Sequence, residues 1–206
     1  MNIRLQNRVV FCGDSSVGKT SILQRIKGVQ FEEHVRQTKI ASYYAYHYQN
    51  ESPEDGEDDF DINFWDVGGD PKLRQLAQVY FQNIEIAVVV FDLTDRPSYD
   101  SLRDWVKMLK KESPSASFFL VANKNDKSQE KVVSDSELSR HRLKLFQVSA
   151  KTGEGIDDLV KSIGEECIKI CHEKKIQHQQ EIQRQNGSEP ENKEEDENSN
   201  NCCTIM

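Results

Sequence analysis

Gly13-Asp14-Ser15-Ser16-Val17-Gly18-Lys19-Thr20 is the stretch whose reading decides the fold. It matches G-x-x-x-x-G-K-[ST], and it sits between an apolar run, Arg8–Cys12 (RVVFC), and a helical stretch, Ser21–Lys27. Strand, glycine loop, helix is the context in which this pattern holds phosphate. The glycines let the backbone curl, so that amides of Ser15, Ser16, Val17, Gly18, Lys19, Thr20 and Ser21 can point at one anion. The helix N-terminus adds partial positive charge. Lys19 is expected to reach the β- and γ-phosphates, and the Thr20 hydroxyl to ligate Mg²⁺. The loop does not choose the base, because ATP-using kinases carry the same pattern.

Outward from this loop the chain alternates strands and helices. Ile86–Leu93 (IAVVVFDL) and Phe118–Ala122 (FFLVA) are continuous apolar runs, as strands covered on both faces are. Leu145–Val148 is a shorter fourth strand. Residues 40–48 and 60–65 read as two more, joined by an acidic loop in which Pro53 and Gly56 are turn formers. Helices are predicted over Ser101–Lys110, with Leu102, Trp105, Val106 and Leu109 on one stripe, and over Ile156–Ile170, with Ile156, Leu159, Val160, Ile163 and Cys167 on another. The expected fold is α/β: a three-layer sandwich with a mostly parallel six-stranded sheet and helices on both faces.

Asn123-Lys124-Asn125-Asp126 follows directly on the FFLVA run, and Ser149-Ala150-Lys151 follows the next strand. A carboxylate at Asp126 can accept from both N1–H and the exocyclic amine of guanine, whereas adenine would leave it unpaired. Here the chain resembles the Ras superfamily of P-loop GTPases, whose N-K-x-D and S-A-K loops read guanine, over about residues 5–172. The resemblance implies GTP/GDP as ligand, the Lys124 stem over the base, the Ala150 N–H at guanine O6, and Lys151 covering the ring.

The same resemblance assigns two nucleotide-sensing segments. Thr38, eighteen residues beyond Thr20, matches the switch I threonine that closes on Mg²⁺ and the γ-phosphate. Phe31 matches the aromatic that packs edgewise on guanine. Trp65-Asp66-Val67-Gly68-Gly69 matches W-D-x-x-G, which implies Asp66 at the cation, the Gly69 N–H at the γ-phosphate, and switch II over about residues 69–80. Lys19, Thr38, Gly69 and the residue after it are the implied hydrolysis groups. That last position departs from the family: relatives place a glutamine there to orient water, and this chain has Asp70 followed by Pro71. An aspartate cannot donate the amide hydrogen bond and is itself anionic, so slow hydrolysis is expected. Asp70 as helix N-cap with Pro71 at the first helical position is an equally sensible structural role.

Among Ras-like branches the loop wording, Trp65 and the terminal cysteine pair look most like Rab proteins. The resemblance implies a membrane-traffic switch with GTP-state effectors, an exchange factor and a GTPase-activating protein. Lys39-Ile40-Ala41-Ser42-Tyr43-Tyr44 departs from the usual Rab wording, so particular effectors are not carried over. Cys203-Thr204-Ile205-Met206 fits C-a-a-X, with Cys202 beside it as a second lipid acceptor. Anchorage to the cytoplasmic face of an intracellular membrane, aided by a prenyl-binding chaperone, is the expectation.

Composition fits this organisation. Only 36% of the 206 residues are hydrophobic, and the shortfall lies in the last 31, which carry seven acids against two bases. The GTPase domain is placed at residues 1–175, with 176–206 a disordered acidic tail. Residues 51–61 hold seven further acids and no base. A net charge of −8 distributed in this way does not indicate nucleic acid as a partner. The five cysteines form no disulfide framework. Cys167 and Cys171, with His172 beside them, have metal-like spacing but no second ligand pair, and burial on a packed helix face is the reading preferred.

Overall fold

The structure is a computed structural model that describes residues 7–50 and 59–186. Six strands form one sheet in the order β2-β3-β1-β4-β5-β6, where β1 is Arg8–Cys12, β2 Ala41–Tyr48, β3 Phe60–Val67, β4 Ile86–Asp92, β5 Ser117–Asn123 and β6 Lys144–Gln147. All pairings are parallel except β2 with β3, which run antiparallel as a hairpin from Ala41↔Val67 to Tyr48↔Phe60. The expected sheet is therefore found, and strand boundaries lie within two residues of their predicted ends. The acidic turn with Pro53 and Gly56 lies outside the described residues.

Every residue of β4 is buried, because helices cover both faces of the central strands. On one face α1 (Lys19–Ile26) and α6 (Ile156–Asn186) bring Ile22, Leu23, Ile156, Leu159 and Ile163 onto Val9, Phe11 and Val88. On the other, the 71–81 segment and α4 (Leu102–Glu112) bring Phe81, Leu102, Trp105 and Leu109 onto Val10, Val89 and Phe91. That segment runs from a 3₁₀ turn, Pro71–Leu73, through α2 (Arg74–Ala77) to a second 3₁₀ turn, Gln78–Phe81. The short helices α3 (Arg96–Asp100) and α5 (Asp135–Leu138) complete this layer. In α5, Ser134 and Glu137 cap each other reciprocally.

One reading of the C-terminal third needs adjustment. The boundary placed at residue 175 falls inside α6, which runs to Asn186, so residues 176–186 are helical rather than tail. Apolar periodicity does fade there, but periodicity reports burial; Gln, Glu and Lys are good helix formers that extend a helix already nucleated by its packed half. Residues 187–206, Cys202 and Cys203 among them, lie outside the described residues. Cys167 and Cys171 are buried on the inner side of α6, and burial pushes the Cys167 thiol up to about 12. Among the described residues no helix is long and apolar enough to cross a membrane.

A candidate nucleotide and cation site

The loops that leave the carboxyl ends of β1, β3, β5 and β6 gather at one edge of the sheet, where open α/β folds hold ligands. They enclose a cavity of about 430 Å³. From the glycine loop and α1 its wall receives Ser15, Ser16, Gly18, Lys19, Thr20 and Ser21. Phe31 and Thr38 come from the segment before β2, Gly68 and Gly69 from the end of β3, Asn123, Lys124 and Asp126 from the end of β5, and Ala150 and Lys151 from the loop after β6. Nearly all the residues singled out in the sequence therefore share one cavity. Val17 and Ser149 are buried just behind the wall, and Asp66 lies beneath Thr20 and Thr38.

The glycine loop is wound tightly because it must be. Gly13 and Gly18 adopt φ of 135° and 95°, and a Cβ at either would overlap the Val90 carbonyl or the Asn123 amide. Lys19 is curled into this loop, donating to the carbonyls of Gly13 at 2.9 Å and Asp14 at 2.7 Å. Burial lowers its pKa, opposed by the nearby Asp66, so a second anionic partner would relieve the desolvated ammonium.

Next to Lys19 three oxygen-bearing side chains from distant parts of the chain converge. The Thr20 hydroxyl donates to Asp66 Oδ2 at 2.6 Å, the Thr38 hydroxyl donates to the same oxygen at 2.8 Å, and the two hydroxyls are 3.0 Å apart. Asp66 Oδ1 is buried with no hydrogen-bond partner. A buried carboxylate oxygen without a donor is costly unless a cation shares the site, and an all-oxygen donor set suits a hard divalent ion such as Mg²⁺. The residues fit that ion.

At the other end of the cavity the base-side loops brace one another. Asn123 donates to the Val17 carbonyl at 2.8 Å and accepts from the Ala150 N–H at 3.2 Å, so it ties the glycine loop to the 149–151 loop. The Ala150 N–H, expected at guanine O6, is in this structure directed at Asn123. Ser149 donates to Asp126 Oδ1 at 2.6 Å, which fixes the orientation of the carboxylate. Lys124, with φ of 66°, reaches back to Asp92 at 2.6 Å and to the Ser16 carbonyl at 3.1 Å, laying its stem along the cavity wall.

Switch II meets this site through glycine. A Cβ at Gly69 would overlap the Gly13 carbonyl, and one at Gly68 would lie 2.6 Å from the Thr38 carbonyl oxygen. The Gly68 N–H donates to the Ile40 carbonyl at 2.8 Å, stitching the end of β3 to the segment bearing Thr38. Asp70 does not line the cavity: its carboxylate accepts from the Lys72 N–H at 2.9 Å, with Pro71 opening the 3₁₀ turn. The capping role read from Asp-Pro is the one observed.

Some wall residues carried no sequence signal. Glu32, Glu33, Val35, Arg36, Gln37 and Lys127 line the cavity because their neighbours in the chain do. Gly68 was detectable as the second glycine of a pair. Asp14 was detectable too, since an acid inside an anion-binding loop must have a partner on the far side.

A tightly wound glycine loop, a carboxylate–hydroxyl cluster fit for a hard cation and a carboxylate held at the far end of the same cavity are the arrangement of a P-loop nucleotide-binding protein. Comparison with known proteins agrees. Residues 8–126 match the family model described as Roc, the Ras of Complex domain of DAPkinase. The chain is similar to the GTP-binding protein YPT52 of Saccharomyces cerevisiae, 31% identical with 79% of this chain and 82% of that protein covered. It is similar to the Ras-related protein Rab-5B of Plasmodium falciparum (32% identical, 76% and 75% covered) and to the GTP-binding protein ypt5 of Schizosaccharomyces pombe (28%, 80% and 79%). The chain belongs to the Ras superfamily of small GTPases, as a divergent Rab. Guanine-nucleotide binding and GTP hydrolysis are the chemistry of that family.

Proposed function

We propose that this protein is a Rab-type switch of membrane traffic that alternates between GTP and GDP states and recruits effectors in the former. The convergence of Thr20, Thr38 and Asp66 within 3.0 Å carries this reading, because it joins the phosphate loop to the segment before β2. Lys19 and the loop amides would hold the β- and γ-phosphates. Thr20, Thr38 and Asp66 would hold Mg²⁺, which when bound neutralises phosphate charge. Thr38 has a reason to stay closed only while its oxygen partners and the γ-phosphate are in place. Asp126, oriented by Ser149, would accept from guanine, with Phe31 and Lys124 against the ring.

Around this segment Ile40, Tyr43, Leu76 and Val79 are exposed. Tyr43, Trp65 and Tyr80 form a continuous aromatic row with centroids 5.1 and 5.4 Å apart. A partly apolar surface next to a phosphate-sensing loop suits effector docking. An exchange factor, a GTPase-activating protein and a prenyl-binding chaperone are the further partners this reading entails. It places residues 7–186 in the GTPase unit, and lipid on Cys203, with Cys202 as a second acceptor, at the cytoplasmic face of an intracellular membrane.

The decisive experiment measures the nucleotide retained by purified protein and the proteins captured by its GTP-analogue and GDP forms. Guanine nucleotide, with partners confined to the analogue form, is the expected result; retention of adenine nucleotide would sink the reading. Replacement of Cys203 by Ser should move the protein off membranes.

A specific observation favours a second reading, a hydrolysis-poor GTP-binding scaffold. Asp70 stands where the family resemblance implies a glutamine, and it spends its carboxylate on the Lys72 N–H. Single-turnover hydrolysis with and without cell extract separates the two: acceleration by extract supports the cycling switch.

A further inference from the structure

Helix α4 packs Leu102, Trp105 and Leu109 against the sheet and turns Arg103, Lys107, Lys110 and Lys111 to solvent. Spaced i, i+4, i+7 and i+8, these cations fall on one stripe about 12 Å long. Lys110 lies 5.5 Å from the Phe118 ring centroid. Among the described residues none of the four has a carboxylate within ion-pairing distance, and Asp104 at the edge of the stripe pairs with none of them. Helix stability does not account for the pattern. Like charges four apart, Arg103 with Lys107 and Lys107 with Lys111, repel, and a cation in the first turn opposes the helix dipole. Only Lys110 and Lys111, in the last turn, suit it. An anionic occupant would offset the repulsion.

Two acidic runs of the chain qualify by charge. Residues 51–61 join β2 to β3 at the margin of the sheet, whereas α4 packs on β4, and Asp59 and Asp61 already face His47 at 3.6 and 3.1 Å. The C-terminal run starts from a better place. α6 parts from the body where Lys174 pairs with Glu85 at 2.9 Å. The neighbouring Ile84 N–H donates to the hydroxyl of Ser113, the residue that follows α4. The basic end of α4 and the exit of α6 therefore share one edge of the sheet. From Lys174 to Asn186 α6 rises about 18 Å, and an extended chain returns over that length in about six residues. Glu194-Glu195-Asp196-Glu197 then comes level with the stripe. Four extended residues cover about 13 Å, close to the length of the stripe itself.

We propose that residues 194–197 dock along the Arg103–Lys111 face of α4 in the same molecule, drawing Cys202 and Cys203 back towards the body. Exposed ion pairs are individually weak, so the docking works by attachment: the connecting chain holds the acidic run at a local concentration on the order of millimolar, an advantage that a separate acidic partner lacks. No residue of the nucleotide cavity takes part.

Spin labelling of the full-length, unlipidated protein tests this. Cys202 and Cys203 take the label, because Cys12, Cys167 and Cys171 are buried. At low salt the amides of residues 103–111 should broaden, and about 1 M salt, which screens charge beyond roughly 3 Å, should abolish the effect. Glu194→Lys with Glu195→Lys changes no described residue and should abolish it too, as should Lys107→Glu with Lys111→Glu. All four substitutions together should restore the broadening, which a folding defect would not do. Sharp 103–111 signals in the labelled wild type at low salt, or broadening indifferent to salt and to the tail substitutions, would overturn the proposal. Broadening confined to mixtures of labelled and isotope-enriched copies would overturn it in favour of a second copy. Signals that shift with phosphatidylserine vesicles, and never with the label, would overturn it in favour of an anionic membrane. Each of these outcomes leaves the nucleotide reading standing.

Discussion

The Asn123 side chain donates to the Val17 carbonyl at 2.8 Å, joining residues 106 positions apart in the chain. Its other end accepts from the Ala150 N–H, so one amide spans the phosphate side and the base side of the cavity. Both bonds are buried, and a buried carbonyl stripped of its donor costs about 1–3 kcal/mol. Asn123→Ala should therefore accelerate GDP release by roughly ten- to a hundredfold, since 1.4 kcal/mol is a factor of ten. Dissociation of a fluorescent GDP analogue measures this, and an unchanged rate would remove Asn123 from the nucleotide site.

Asp70 makes a prediction with two signs. Asp70→Gln supplies an amide able to orient water, so the single-turnover hydrolysis rate should rise. The same change removes an N-cap worth about 0.5–2 kcal/mol, so the melting temperature should fall. A faster but less stable variant is the expected pair; an unchanged rate would assign Asp70 to capping alone.

Gly164 lies in α6, and a Cβ there would overlap the Tyr48 ring. Helix propensity alone predicts that Gly164→Ala stabilises by up to about 1 kcal/mol. The ring cannot simply swing aside, since Tyr48 is buried, packs on Phe60 at 5.2 Å and donates to the Lys161 carbonyl. Overpacking costs about 1–3 kcal/mol, which outweighs the propensity gain. Urea unfolding should show net destabilisation.

Glu137 sets an acid dependence. Its carboxylate accepts from the Ser134 N–H and hydroxyl and from Arg96, and these hold its pKa down at about 2. An unfolded chain would protonate it nearer the ordinary value, about 4.3. Its contribution is thus complete above that value and fades as pH falls towards 2. The stability gap between wild type and Glu137→Gln should be constant near neutrality and close in acid, as urea midpoints at a series of pH values would reveal.

The sheet and both ends of the cavity were readable because their signals are local. Val88 to Phe91 had to be covered on both faces, and Gly13 to Thr20 had to curl around an anion. What escaped the sequence depends on three dimensions. Trp105 reads as one more apolar residue of a helical stripe, and it is one; that its indole N–H serves Asp14 is invisible without the sheet between them. The far half of α6 escaped for another reason: a helix exposed on all sides leaves no periodic apolar trace. Gly164 carries no signal in the sequence, since only the fold shows that the Tyr48 ring occupies the space a Cβ would take.

From Glu173 to Gln183 every residue of α6 is exposed, and Lys174 clasps Glu85 at 2.9 Å near the point of departure from the body. Between Lys174 and Asn186 the helix advances about 18 Å, at roughly 1.5 Å per residue. That length exceeds the ~8 Å screening length of physiological saline. Charges at the far end of α6 are then out of electrostatic earshot of the Lys174–Glu85 pair, so substitutions at the two ends of this exposed stretch act independently.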